Sequence, residues 1–88
     1  MGTANIVMYA TDWCPYCERA RALLRAKGAA FEEIDIEVLP EKRAEMFARS
    51  ARRSVPQIFI GERHIGGSDD LHALEAAGEL DALLKAAP

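Results

Sequence analysis

The only two thiols in this chain, Cys14 and Cys17, flank Pro15 and Tyr16 at the point where an apolar run gives way to a helical pattern. Ile6-Val7-Met8-Tyr9 before them reads as a strand, and Glu18 to Lys27 after them, rich in Ala, Leu and Arg, reads as a helix. That junction constrains the fold: a buried strand must end where a helix starts, with the thiols at the helix mouth. Every thiol is committed to one turn of backbone, which favours redox chemistry over structural cross-linking. In a reducing compartment, two cysteines are more often catalytic or metal-binding than structural.

The rest of the chain supplies partners for that strand and helix. Ala4 to Ala10 is apolar almost without interruption, as expected of a central strand buried on both faces. The first helix is expected from about Pro15 to Lys27, stopping at Gly28. Cys17, Ala20, Leu23 and Leu24 make its apolar face, with Glu18, Arg21 and Arg25 opposite. Phe31 to Ile36 reads as a second strand, Ile34 and Ile36 alternating with Glu33 and Asp35. Pro40 suits a first helical position and Glu41 the positive end of a helix dipole. The helix from Pro40 to about Ser50 is expected to bury Met46 and Phe47 and to pair Glu45 with Arg49. Pro56 to Ile60 reads as a short buried strand, Gly61-Glu62 as a tight turn, and Arg63-His64-Ile65 as the returning strand. Gly66-Gly67 leads into a helix from near Ser68, with Leu71 and Leu74 inward, and Glu79 to Lys85 closes the chain. The predicted order is β-α-β-α-β-β-α, with parallel crossovers first and a hairpin second. This is an α/β architecture: a small mixed four-stranded sheet flanked by helices.

At 88 residues, half of them apolar, residues 1–88 are expected to form a single small domain with a packed core. The formal charge of −3 argues against nucleic acid or an anionic membrane as the main partner. Apolar runs are too short to span a bilayer. No charged segment followed by an apolar signal core precedes the first strand, and Ile6 stands where a myristoylation signal at Gly2 wants Ser or Thr. A cytoplasmic monomer is the expectation.

The thiolate is the nucleophile in thiol–disulfide exchange, and an ordinary cysteine is mostly protonated at neutral pH. A helix start presents unpaired N–H groups and partial positive charge. Cys14 is therefore expected to be exposed and partly ionised, and Cys17, one turn in on the apolar face, buried and protonated. Cys14 attacks; Cys17 resolves the mixed disulfide. A zinc site within one chain would lack ligands, because His64 and His72 are not at ligand spacing. No metal is expected, although a metal or cluster shared between two chains remains open at this point.

Tyr9 through Cys17, Glu18-Arg19-Ala20-Arg21-Ala22-Leu23-Leu24 and Gly28 together resemble the active-site segment of dithiol glutaredoxins. So do Ser54 through Gly61 and Ile65 through Leu71, in the same order, and the likeness is closest to small bacterial members. The resemblance implies a thioredoxin fold and glutathione as co-substrate, with no tightly bound cofactor. It implies that Pro56 is cis and that Val55 pairs its backbone with the glutathione cysteine like an added strand. It places the γ-glutamyl carboxylate at the N–H groups of Ser68 and Asp69, after Gly67, with Asp70 available to the amine. A Gly-Gly turn feeding a helix start suits an anion on physical grounds. Ser68 equally suits a helix cap, and the aspartates suit the helix dipole. Arg52 is the candidate for the glycine carboxylate, with Arg53 and Arg49 nearby, and these arginines equally suit a solvated helix end. Tyr16 either flanks the bound peptide or is simply an exposed aromatic, and Trp13 either reports on the redox site or covers the core edge.

One departure bears on the site. Many glutaredoxins carry Lys three residues before the nucleophile, and Thr11 stands there in this chain. The helix dipole and the arginines are left to supply positive charge beside Cys14 and the glutathione site, which includes Thr11. The function implied is glutathione-dependent reduction of protein disulfides and glutathionylated proteins. Two alternatives are a glutaredoxin-like reductase served by thioredoxin reductase, and an iron–sulfur carrier, against which Pro15 counts because it stiffens the loop.

Overall fold

In the computed structural model, residues 5–85 are described. Expectations placed on Gly2 and Ala4 lie outside them. The elements are β1 (Ile6–Ala10), α1 (Pro15–Ala26), β2 (Glu32–Asp35), α2 (Glu41–Ser50), β3 (Gln57–Ile60), β4 (Arg63–Gly66), α3 (Ser68–Ala76) and α4 (Leu80–Lys85). The sheet order is β2-β1-β3-β4. β1 pairs in parallel with β2, Val7 opposite Glu32, and antiparallel with β3, Tyr9 opposite Gln57; β4 completes the hairpin. Only the α1 crossover therefore makes a parallel pair, because the chain after α2 re-enters the sheet in the opposite direction. The closing helical region is two helices, broken where Gly78 takes φ +76°. Among the described residues, no helix is long and apolar enough to cross a membrane.

Alternation along the strands divides the core into two faces. Ile6, Met8 and Ala10 of β1 join Ile58 and Ile60 of β3 beneath α1, α3 and α4, where Cys17, Ala20, Leu24, Leu71, Leu80 and Leu84 meet them. Tyr9 and Phe59 point the other way and meet Ile36 and Met46 under α2. The central strand is thus buried on both sides, as its unbroken apolar run requires. β2 is shorter than expected, but the Ile36 N–H still bonds the Ala10 carbonyl at 3.0 Å and carries Ile36 into the core.

Three side chains depart from the expected helical faces. Phe47 is 43% exposed, because Met46 alone reaches the sheet from that turn of α2. Glu45 does not pair with Arg49. Its carboxylate takes the Lys42 ammonium and the Tyr9 hydroxyl, while Arg49 donates to the Tyr9 oxygen at 2.8 Å and lies 4.0 Å over the Phe59 ring. The two groups share Tyr9 instead of each other, and burial raises the Tyr9 pKa, with the Glu45 hydrogen bond adding to it. Arg21, expected in solvent, is only 6% exposed. A fork of bonds from its guanidinium to Glu33 of β2, at 2.6–2.9 Å, offsets the desolvation that burial of a lone cation costs.

Candidate active site

Cys14 is the N-cap of α1, extended at φ −80° and ψ 121°, with Pro15 at the first helical position where no N–H is needed. Its sulfur accepts the Cys17 N–H at 3.4 Å, one of the spare donors of the helix start. The thiol is only 7% exposed, so the expectation of an exposed nucleophile is corrected. The loop before β3 closes over it: the Cys14 sulfur lies 3.9 Å from the Val55 carbonyl oxygen. Val55–Pro56 is a cis peptide. Trp13 and Tyr16 beside it are exposed, Trp13 donating from its indole to Glu37 at 3.1 Å rather than covering the core.

Cys17 is fully buried, facing Ala20 and Leu24 as its spacing predicts. Burial pushes its thiol up to about 11, against the pull of a hydrogen bond from the Thr11 backbone and of the Arg21 charge. It stays protonated at neutral pH. Thr11 is 4% exposed, and its hydroxyl is a buried side-chain polar atom without a hydrogen-bond partner. The Thr11 carbonyl accepts from Arg21 at 3.0 Å.

The start of α3 forms the far wall. Gly67, the N-cap residue, lies so close to the loop that a Cβ there would stand 3.5 Å from the Pro56 carbonyl. Asp70 turns back so that its Oδ2 accepts the Gly67 N–H at 2.9 Å and an Arg52 N–H at 3.1 Å. These two donors hold its carboxyl below the usual carboxylate range. Gly66, at φ +118°, makes room for that carboxylate, since a Cβ there would collide with it. Ser68 does not cap the helix: it is the first helical residue, buried, with its hydroxyl 3.4 Å from His72 Nδ1. Asp69 is exposed.

The three segments singled out in the sequence therefore converge, but their arginines scatter. Arg52 engages Asp70, Arg53 stacks 4.8 Å over Phe47, and Arg49 serves the opposite sheet face. Arg43, absent from the sequence reading, joins Arg53 in lining a groove of about 370 Å³ with Pro40, Ala44 and Phe47. Gln57 was also missed. Fully buried, it donates to the Ser54 carbonyl at 3.0 Å and accepts from His64 Nε2 at 2.7 Å, tying the loop before Pro56 to the sheet. Its position in an apolar strand was the available signal. Among the described residues, no group of three or more His, Cys, Asp or Glu side chains could hold a metal ion.

A glutaredoxin family profile matches residues 6–65. A glutaredoxin of Pseudomonas aeruginosa is 58% identical over 81 residues, 92% of this chain and 96% of that protein. The solution structure of a glutaredoxin from Brucella melitensis is 57% identical with a TM-score of 0.83, covering 94% of this chain and 90% of that one. A crystal structure of a buckwheat glutaredoxin–glutathione complex is 28% identical with a TM-score of 0.85, covering 92% and 76% of the two chains. The thioredoxin fold expected from the sequence is the fold observed. With Cys14 capping the start of α1 and Cys17 buried one turn behind it, the chain belongs to the glutaredoxin family of thiol–disulfide oxidoreductases.

Proposed function

We propose that this protein reduces protein disulfides and protein–glutathione mixed disulfides with glutathione as co-substrate. The observation that carries this reading is the convergence of Cys14, the Val55 carbonyl and the Gly67 N-cap on one site. Cys14 attacks the glutathione sulfur of a glutathionylated protein, the protein thiol leaves and takes a proton, and a second glutathione displaces the first. For a protein disulfide, Cys14 forms the mixed disulfide and Cys17 displaces the product. A Cys17 thiol at about 11 does not compete for the first attack.

The backbone of Val55 takes the glutathione cysteine as an added strand, with Pro56 behind it. The γ-glutamyl carboxylate rests on the N–H groups of Ser68 and Asp69 at the start of α3. Asp70 has its Oδ2 engaged by Gly67 and Arg52, which leaves Oδ1 for the glutathione amine. Arg52 therefore serves the γ-glutamyl end, and the glycine carboxylate falls to the groove of Arg43 and Arg53. Tyr16 lies exposed along the bound peptide, and Thr11 acts from beneath the loop through its backbone rather than by touching the ligand. Residues 1–88 work as one domain and as a monomer in the cytoplasm.

Turnover of a glutathionylated peptide and of a protein disulfide, driven by glutathione with its reductase and separately by thioredoxin reductase, tests the reading. Cys14→Ser abolishes both reactions with glutathione. Cys17→Ser keeps deglutathionylation and loses most disulfide reduction, and the paired change Arg43→Ala with Arg53→Ala raises KM for glutathione about tenfold with little change in kcat. Faster reduction by thioredoxin reductase than by glutathione would overturn the choice of electron donor.

A further inference from the structure

Gln57 is fully buried in β3, a strand that is otherwise apolar. Alternation puts it on the face of Phe59, opposite Tyr9 of β1. A buried amide costs free energy unless its donors and acceptor find partners. Here Nε2 donates to the Ser54 carbonyl at 3.0 Å and reaches the Ser54 hydroxyl at 3.3 Å, while Oε1 lies 2.7 Å from His64 Nε2. A carbonyl only accepts, so the amide nitrogen faces Ser54 and the amide oxygen faces His64, whose Nε2 therefore carries the proton. His64 is itself placed by β4 and by its ring lying against Phe59, the centroids 4.9 Å apart.

The segment that this amide grips has little else to hold it. Among the described residues, Arg52 to Val55 take part in no backbone–backbone hydrogen bond. Ser50 holds the near end: its hydroxyl donates to the Met46 carbonyl at 2.7 Å and accepts the Arg52 N–H at 3.0 Å. Gln57 holds the far end, at Ser54. Between that grip and Pro56 stands Val55, its carbonyl oxygen 3.9 Å from the Cys14 sulfur and its backbone groups without a backbone partner. Ser54 is exposed, so water would satisfy its carbonyl if the amide were absent. What the amide alone supplies is a fixed position.

We infer that Gln57 is a positioning residue for the glutathione peptide: clamped by His64, its amide fixes Ser54 so that the neighbouring Val55 backbone stands beside the Cys14 sulfur before the ligand arrives. The inference rests on the proposed pairing of Val55 with glutathione. Being buried, Gln57 touches neither the peptide nor a reacting sulfur. It acts through the loop, whose prior placement lowers the ordering cost of binding.

Steady-state reduction of a glutathionylated peptide by glutathione and its reductase, run beside iodoacetamide alkylation of Cys14, tests the inference. Gln57→Leu is close to the parent in size and removes the bonds to Ser54 and His64. It is expected to raise KM for the glutathionylated peptide about tenfold, with kcat within about twofold of the parent. Alkylation of Cys14, which needs no peptide site, is expected at the parental rate or faster, because a loosened Val55 uncovers the sulfur. His64→Leu removes only the clamp and raises KM in the same direction by less. His64→Gln returns a donor near the Nε2 position and brings KM back toward the parent, and this pair decides the matter if Gln57→Leu does not fold. A KM within about twofold of the parent in the folded variants overturns the inference. So does a fall in kcat with KM unchanged, or alkylation slowed as much as turnover, since either places the effect on the thiol and not on the peptide. Failure of the parent protein to turn over the glutathionylated peptide would instead overturn the proposed function.

Discussion

The Cys17 sulfur and the Cys14 sulfur differ because a helix start and a helix interior are different solvents. Cys14 receives the Cys17 N–H and lies beside the Val55 carbonyl, whereas Cys17 is enclosed by Ala20, Leu24 and the strands. Desolvation raises the folded-state pKa of Cys17 from an ordinary 9.0 to about 11, so the folded protein retains a proton that the unfolded chain gives up. The contribution to stability is fully present below pH 9.0 and is lost as pH rises through about 11. Tyr9, also raised from 10.0, adds loss in the upper part of that window. Urea unfolding of the reduced protein is therefore expected to weaken between pH 9 and 11 by up to about 1.4 kcal/mol per pH unit for Cys17. In a Tyr9→Phe background, Cys17→Ala should flatten that decline; an unchanged slope would mean that the buried thiol is not its source.

Helix faces were legible where apolar spacing decides them and illegible where a polar partner does. Cys17, Ala20 and Leu24 are buried as their spacing predicts, and so are Met46 and Leu71. Arg21 fails the rule because Glu33, twelve residues away, supplies the bonds that let a cation be buried. Phe47 fails it because α2 presents Met46 to the sheet and leaves Phe47 under Arg53 at the groove. Met46→Ala should accordingly cost about 2–5 kcal/mol in chemical denaturation, as truncations of buried side chains do. Phe47→Ala should cost about 1 kcal/mol or less, since half-exposed positions lose little transfer energy. Equal losses would show that the ring carries core packing that its exposure hides. The Gly66-Gly67 entry into α3 was legible in the sequence, but not the Asp70 carboxylate folded back onto Gly67 and Arg52.

Across the molecule, the sheet order puts β1 between β2 and β3 with helices on both faces. Opening β1 requires separating two ladders and both core clusters, whereas β2 and β4 are edges. Amide exchange followed by NMR should therefore be slowest at Met8 and Tyr9, approaching the global unfolding limit, and faster by local opening in β4. Comparable protection in β4 would mean that the hairpin and central strand open as one unit. The same order brings the end of β1, the start of α1 and the loop before β3 together, which places Cys14 and Cys17 at that end of the sheet.

The sequence by itself determined the kinds and order of elements, the buried central strand and two inequivalent thiols at a helix mouth, because periodicity, turn residues and N-terminal donors act within a few residues. Only the tertiary structure decided that Cys14 is covered by Val55, that Arg21 is buried under Thr11, and that Arg43 with Arg53 lines the groove. These are meetings of residues far apart in the chain. Whether a polar or charged side chain is buried depends on the partner it finds there, which its own neighbourhood in the sequence does not specify.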